Sequence, residues 1–315
     1  MTGRTGLAGS RVVVTGGRGF LGRAVTEVAR EQGAQVVALG RADHDLTEPA
    51  QVRAMFDRLR PDLIVHAAAA VGGIAANVAH PAGFLYRNAL MGLLVLEEAR
   101  RAGLTKLVLV STTCTYPAVT ALPMRESSIW DGRPSGATGA YGIAKRMLHE
   151  ACATYAEEYG LDSAVLVLAN LYGPGDHTGP DAHVVPMLIE RFLEARRTGA
   201  PVLTNWGTGR ATREFLHVRD AARAVVLALG RDTGPAPINV GTGRETTIAE
   251  LAELIRAATG YEGEVRWDPT EPEGQSRRVL DVSRARELLG WEAEIPLAEG
   301  IRETVASFLA RNASA

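Results

Sequence analysis

The chain has 315 residues, 46% hydrophobic and 22% charged, with a formal net charge of −2; this balance suits a globular protein with a sizeable core and excludes a broad basic surface for nucleic acid. Two cysteines, Cys114 and Cys152, are too few for a disulfide scaffold or a four-thiolate zinc site, and no metal is expected. No stretch nears the roughly 18 apolar residues that span a bilayer, and residues 1–10 lack the apolar segment of a signal peptide, so the expectation is a soluble, cytoplasmic protein with no membrane partner.

Residues 11–15 (RVVVT) form a β-branched run that ends in glycines, as a buried parallel strand does. Residues 19–33 have helical spacing, with Leu21, Val25 and Ala29 on one face and Gly33 as a stop. A second strand follows at 35–39, a helix at 51–59, a third strand at 62–66, a helix at 85–102 and a fourth strand at 106–111. A long helix at 141–159 and a fifth strand at 163–168 continue the alternation. Strand and helix in strict succession predict a Rossmann-type α/β fold, a doubly wound parallel sheet whose ligand lies beyond the carboxyl ends of its strands. Beyond Leu171 the pattern loosens. Residues 172–183 read as a loop, 185–197 as a helix, and 214–229 return to sheet-and-helix style. Helices are expected at 247–258, 283–289 and 297–310. The expected division is a cofactor domain over 1–171 and a smaller, discontinuous C-terminal substrate lobe over 172–315, with about 214–242 returning to the first.

Thr15-Gly16-Gly17-Arg18-Gly19-Phe20-Leu21-Gly22 joins the first strand to the first helix. Gly16, Gly19 and Gly22 permit a tight turn, a close pyrophosphate approach and close helix packing. The backbone N–H groups around Phe20 and Leu21 open a helix whose positive end faces the phosphates. An NAD site places an acidic residue about 20 positions further on. Here the second strand runs into Gly40-Arg41 instead, and Arg18 sits inside the loop. Two guanidiniums suit a 2′-phosphate, so NADP(H) is favoured; Asp43 keeps NAD open. Asp45 and Leu46 are placed to meet the adenine.

Tyr141 and Lys145 begin the long helix four residues apart, on one face. An ammonium beside a phenol favours the phenolate, so the tyrosine is expected to titrate closer to working pH and to pass a proton while hydride moves. A hydroxyl at the end of the fourth strand, from Ser111, Thr112 or Thr113, would bind the reacting oxygen.

With these residues the chain resembles the NAD-dependent epimerase/dehydratase family of extended short-chain dehydrogenases. The resemblance runs through His66-Ala67-Ala68-Ala69-Ala70-Val71-Gly72-Gly73-Ile74, Thr112-Thr113-Cys114-Thr115-Tyr116-Pro117 and Tyr141-Gly142-Ile143-Ala144-Lys145. It continues in Asn170-Leu171-Tyr172-Gly173-Pro174, His183-Val184-Val185-Pro186, Trp206-Gly207-Thr208-Gly209, Arg213-Glu214-Phe215-Leu216, Asn239-Val240-Gly241-Thr242-Gly243 and Leu280-Asp281-Val282-Ser283. Within the family, the VGGI, Cys-x-Tyr-Pro and His-Val segments point to enzymes that rearrange and reduce a nucleotide-linked 4-keto-6-deoxyhexose, with a GDP-sugar favoured. The resemblance implies NADPH reduction at C4 by Tyr141 and Lys145, with Thr112 as hydroxyl donor and Ala67, Ala68 and Ala69 along the cofactor. It implies Cys114 and His183 as the acid/base pair for epimerisation at C3 and C5, both being groups that titrate near neutral pH. Arg213 would meet the diphosphate, Trp206 and Arg191 would line the sugar-nucleotide pocket, and Asn170 would shape it. A homodimer built on the helices at 85–102 and 141–159 is implied as well.

Two positions depart from the family. Thr112 stands where serine is usual, keeping the hydroxyl but adding a methyl group. Glu271 stands where lysine is frequent, so diphosphate binding would need Arg277 or Arg278 to compensate. The alternatives are a 4-ketoreductase or single-site epimerase on another activated sugar, and a non-catalytic NADP(H)-binding sensor. A 4,6-dehydratase would want carboxylates where Thr113 and Cys114 stand.

Overall fold

The computed structural model describes residues 6–134, 136–179, 182–270 and 277–313; the expected Glu271–Gly274 contribution lies outside them. Its first half alternates β1 (Arg11–Thr15), α1 (Phe20–Glu31), β2 (Gln35–Leu39), α2 (Pro49–Leu59), β3 (Leu63–His66), α3 (Ile74–Ala79), α4 (Pro81–Arg101), β4 (Lys106–Thr112), α5 (Gly139–Tyr159) and β5 (Ser163–Leu168). The second half carries β6 (Asn170–Tyr172), α6 (Val184–Thr198), β7 (Val202–Trp206), β8 (Thr212–Arg213), β9 (Phe215–His217) and α7 (Val218–Leu229). It continues with β10 (Ile238–Val240), β11 (Thr246–Thr247), α8 (Ile248–Thr259), β12 (Glu264–Asp268) and α9 (Leu297–Ala313).

Six strands form one parallel sheet in the order β10-β5-β4-β3-β1-β2. The chain leaves β1 for β2 on one side and returns to β3 on the other, so β1 and β3 flank the point where the winding reverses. A crevice opens there, beyond the carboxyl ends of the strands. Alternation along β1 fills both faces: Val12 and Val14 join a core with Val25 and Ala29 of α1 and with the apolar side of α7. Val13 joins the opposite core with Val52 and Met55 of α2, Leu96 of α4 and Leu148 of α5. A third core, of Val185, Ile189 and Phe192 from α6, Leu251 and Ile255 from α8, and Ile301 and Val305 from α9, holds the C-terminal part.

Helix starts differ from the sequence reading in a consistent way. The helices expected from 51 and 85 begin at Pro49 and Pro81, because proline at the first helical position lacks an N–H that would go unpaired anyway. The helix expected over 283–289 is a π-helical turn, Ala285–Leu289, ended by left-handed Gly290. Three small strand pairs in the second half, β6 with β9, β8 with β11 and β7 with β12, carried no clear sequence signal.

Candidate active site

The glycine loop after β1 is built for close approach. Gly16 is left-handed (φ +70°), and a Cβ there would press on the Ala68 backbone. A Cβ on Gly22 would run into the Gly16 carbonyl, so the first turn of α1 lies directly on the loop. Gly19 caps α1 in an extended conformation without a side-chain cap, leaving the first N–H groups, at Phe20, Leu21 and Gly22, facing outward for an anion. Opposite, Ala67 N donates to Thr15 O (3.1 Å) and Ala68 N to Thr15 Oγ1 (3.4 Å), while Ala69 is half-buried beside them. The buried Asn88 side chain brackets Ala70, accepting from its N–H (3.0 Å) and donating to its carbonyl (2.9 Å).

At the end of β2, Arg18 pairs with Asp43 (2.8 Å), and the other Asp43 oxygen accepts from Gly40 N (2.7 Å). Both oxygens of the one carboxylate that could have favoured NAD are thus engaged. Arg41 is exposed beside them. Asp45 is held low chiefly by its hydrogen bonds from Thr47, and less by the Arg41 charge. Leu46 is buried in the core under the sheet rather than exposed toward a ligand.

β4 ends at Thr112, whose Oγ1 accepts from Cys114 N (3.3 Å) and caps a single 3₁₀ turn, Thr113–Thr115. Of the three hydroxyls considered, Thr112 is half-buried at the strand end, whereas Ser111 is buried against His149 (2.6 Å) and Thr113 is buried in the turn. Tyr141 and Lys145 lie one turn apart on α5, with Lys145 Nζ 6.0 Å from the Tyr141 ring centroid and donating to Val110 O (2.9 Å). The expected drop in the phenol's pKa is not what the structure gives. Burial, reinforced by the Cys114 charge, pushes Tyr141 well above its ordinary value. Burial also pulls Lys145 down to about 8, and its hydrogen bond goes to the strand carbonyl, so desolvation outweighs the ammonium's attraction for phenolate.

The turn that carries Cys114 rests on this helix, where a Cβ on Gly142 would overlap the Cys114 carbonyl oxygen. The Cys114 charge acts on both Tyr141 and Arg278, and Arg278 Nη1 donates to Thr113 O (3.2 Å). Arg213, at the end of β8, is half-buried and close enough to Arg278 that this charge, after burial itself, lowers its hold on the proton. Arg277, the expected nucleotide contact, is exposed and forks onto Glu245 (2.9 and 2.5 Å). Along an extended segment neighbouring side chains point to opposite faces; Arg278 takes the inner position and Arg277 the outer. The sequence offered both arginines and only the alternation could choose.

His183 precedes α6 as its exposed N-terminal cap residue, and its charge reaches the buried carboxyl of Asp176, raised overall by desolvation. Two turns on, Arg191 donates to the Thr204 carbonyl of β7, and Trp206, 60% exposed, ends that strand. Asn170 donates to Glu214 O (3.0 Å). Tyr141, Lys145, Cys114, Thr112, Arg213 and Arg278 are thus gathered at one end of the sheet, while His183, Arg191 and Trp206 belong to the elements of the C-terminal part. Among the described residues no group of three or more His, Cys, Asp or Glu side chains forms a metal site, and no helix is long and apolar enough to cross a membrane.

Residues 12–241 match the model of the NAD dependent epimerase/dehydratase family. The chain is 40% identical over 303 residues to the putative GDP-L-fucose synthase 2 of Oryza sativa subsp. japonica, covering 95% of this chain and 87% of that protein. It is 37% identical over 310 residues to the GDP-L-fucose synthase of Escherichia coli K12, covering 95% and 96%. It superposes with a TM-score of 0.91 on a crystal structure of a GDP-L-fucose synthetase from Naegleria fowleri bound to NADP, at 27% identity over 97% of this chain and 94% of that one. With a reversing parallel sheet, a glycine loop at its switch point and a Tyr-x-x-x-Lys helix alongside, this chain belongs to the NAD dependent epimerase/dehydratase family.

Proposed function

We propose that this protein catalyses the NADPH-dependent 3,5-epimerisation and 4-keto reduction of a GDP-linked 4-keto-6-deoxyhexose, the activity of a GDP-L-fucose synthase. The observation that carries the reading is the turn of Cys114, which rests on the Tyr141 helix at Gly142 and accepts a hydrogen bond from Arg278 at Thr113 O (3.2 Å). A simple ketoreductase has no use for a thiol at that place.

The residues of the loop fit NADPH. Gly16 and Gly22 leave room that a side chain would fill, the N-terminus of α1 suits a pyrophosphate, and Arg18 and Arg41 offer guanidiniums at the end of β2, where Asp43 is already engaged. When bound, NADPH supplies the hydride. Arg213 and Arg278 hold the substrate diphosphate, whose charge offsets the repulsion between two half-buried, neighbouring guanidiniums. Arg191 and Trp206 face the nucleoside end, and Asn170 fixes the Glu214 backbone behind it. The C4 ketone acidifies the hydrogens on C3 and C5. Cys114 and His183 remove and return these protons from opposite sides of the ring. Tyr141, kept protonated by burial, then gives its proton to the ketone oxygen as the hydride arrives; Thr112 donates to that oxygen and Lys145 orients the sugar-ring side of the cofactor. The working unit is a cofactor domain over 1–171 and a substrate lobe over 172–315, with about 214–242 returning to the first. The protein is assigned to the cytoplasm, where thiols stay reduced. Pairing of two chains through α4 and α5 accounts for the exposed Leu85, Tyr86 and Met147 on these helices.

Incubation with GDP-4-keto-6-deoxymannose and NADPH in heavy water tests the reading. A reduced product carrying deuterium at C3 and C5 is expected. Cys114→Ser should still consume NADPH while losing both deuteriums. No NADPH consumption would overturn the proposal, and deuterium at one carbon or none would reduce it to a single-site epimerase or a ketoreductase.

A further inference from the structure

Helix α5 presents two neighbouring stripes, and only one of them is accounted for by Tyr141 and Lys145. One position on, Gly142 and Arg146 form the second, again four residues apart and on one face. Both meet the turn that carries Cys114. A Cβ on Gly142 would overlap the Cys114 carbonyl oxygen, so that turn rests directly on the helix backbone. Arg146, 6% exposed, donates from Nε to Thr115 O (2.5 Å), the last residue of the turn. Its Nη1 donates to Gly132 O (2.6 Å), and its guanidinium lies 5.6 Å from the Trp130 ring centroid. Its Nη2 is buried without a hydrogen-bond partner, and no carboxylate pairs with the side chain among the described residues. Burial pulls its pKa down.

A buried guanidinium without a counter-ion costs several kcal/mol. A helix dock for a short turn does not need one, since apolar packing would serve. What the planar fork adds is direction: two carbonyls, from the thiol turn and from the strap over residues 130–132, are fixed at once relative to α5. From the other side Arg278 holds Thr113 O. The thiol turn is thus gripped at both ends, by Arg146 from the helix and by Arg278 from the substrate side.

We propose that Arg146 is a positioning residue for Cys114: by tying the Thr115 carbonyl to the catalytic helix it sets the spacing between the thiol and the Tyr141 phenol, and so serves epimerisation rather than reduction. This rests on the role given to Cys114 above. Tyr141 and Lys145 are held by the helix and by Val110 O, not by Arg146, and Thr112 is fixed as the last residue of β4, so reduction depends on the clamp far less than epimerisation does.

The test uses Arg146→Gln and Arg146→Lys in the full-length enzyme, with two rates compared on one substrate: deuterium uptake from heavy water at C3 and C5, and NADPH oxidation. The ratio of the first to the second should fall at least about tenfold in Arg146→Gln while NADPH oxidation stays within about threefold. Arg146→Lys, which keeps one donor without the fork, should lie between. A parallel fall in both rates, or an unchanged ratio, overturns the proposal. A second measurement does not use activity. Iodoacetamide labelling should be faster at Cys114 in both variants, while Cys152, fully buried, stays unlabelled. An unchanged Cys114 rate, or labelling of both cysteines together, would make Arg146 a staple of the fold and overturn the proposal. If the wild-type enzyme takes up no deuterium, the reading of the reaction fails on its own, and labelling still decides whether Arg146 sets the thiol.

Discussion

Lys145 shows how burial reverses an inference drawn from residue types. A Tyr-x-x-x-Lys pair suggests an ammonium coaxing a phenol toward phenolate. In the folded protein the lysine is 2% exposed, aims at Val110 O and is pulled down to about 8, while the phenol moves up. The reduction direction needs just this arrangement, a phenol that has kept its proton and a lysine that is still charged. Because the folded lysine has a depressed pKa, its ammonium form is complete below about 8 and is lost as pH rises through that value. NADPH oxidation should therefore decline on the alkaline side, with an apparent pKa near 8. Initial rates from about pH 6 to about pH 10 check this, and Lys145→Met should abolish that limb and cost at least about a hundredfold in kcat/KM. An alkaline limb only near the ordinary lysine value would mean that desolvation does not govern the site.

Among the elements, the junction of β1 with α1 is the one whose sequence and geometry agree most closely. Glycines at 16 and 22 were readable as places for a tight turn and for close packing. The structure gives the physical contents: a left-handed φ at Gly16 and the Gly16 carbonyl seated where a Gly22 side chain would stand. Gly22→Ala forces the loop and α1 apart. It should weaken NADPH binding at least about tenfold and cost about 1–3 kcal/mol of stability, as overpacking does. Fluorescence titration with NADPH and urea unfolding measure the two effects. Retention of full affinity would show that the helix N-terminus is not the phosphate cradle. The smaller pairs β6–β9 and β7–β12 were not readable, because strands of three to five residues joined across long sequence gaps leave no local periodicity.

For the molecule as a whole, the decisive connections are polar and long-range. Asn239, in the middle of the edge strand β10, is fully buried. Its side chain accepts from Tyr116 Oη (2.7 Å) and donates to Met124 O (2.9 Å) and Asp281 O (3.0 Å), while its N–H donates to Glu126 Oε1 (2.8 Å). One carboxamide thereby joins the sheet, the segment behind the thiol turn and the extended run that presents Arg278. Asn239→Leu removes the partner of Tyr116 Oη and Asp281 O, while Met124 O keeps the Asp281 N–H, and should destabilise the protein by about 2–4 kcal/mol. Chemical denaturation provides the measurement, and a loss under about 1 kcal/mol would refute this account of how the parts are joined.

From sequence alone came the strand–helix alternation, the parallel sheet, the glycine cradle and the Tyr141/Lys145 pair, because each depends on local periodicity or on a motif short enough to be read in one stretch, while Cys114 and His183 were nominated by the family resemblance. What needed the tertiary structure was every choice between neighbours and every sign of a pKa shift. Arg278 rather than Arg277 reaches the turn at Thr113, Asp43 is engaged by Arg18, Leu46 goes into the core, and Tyr141 moves up instead of down. These outcomes depend on which face of an extended segment turns inward and on how much water is removed around a charge. Both are set by packing between segments far apart in the chain.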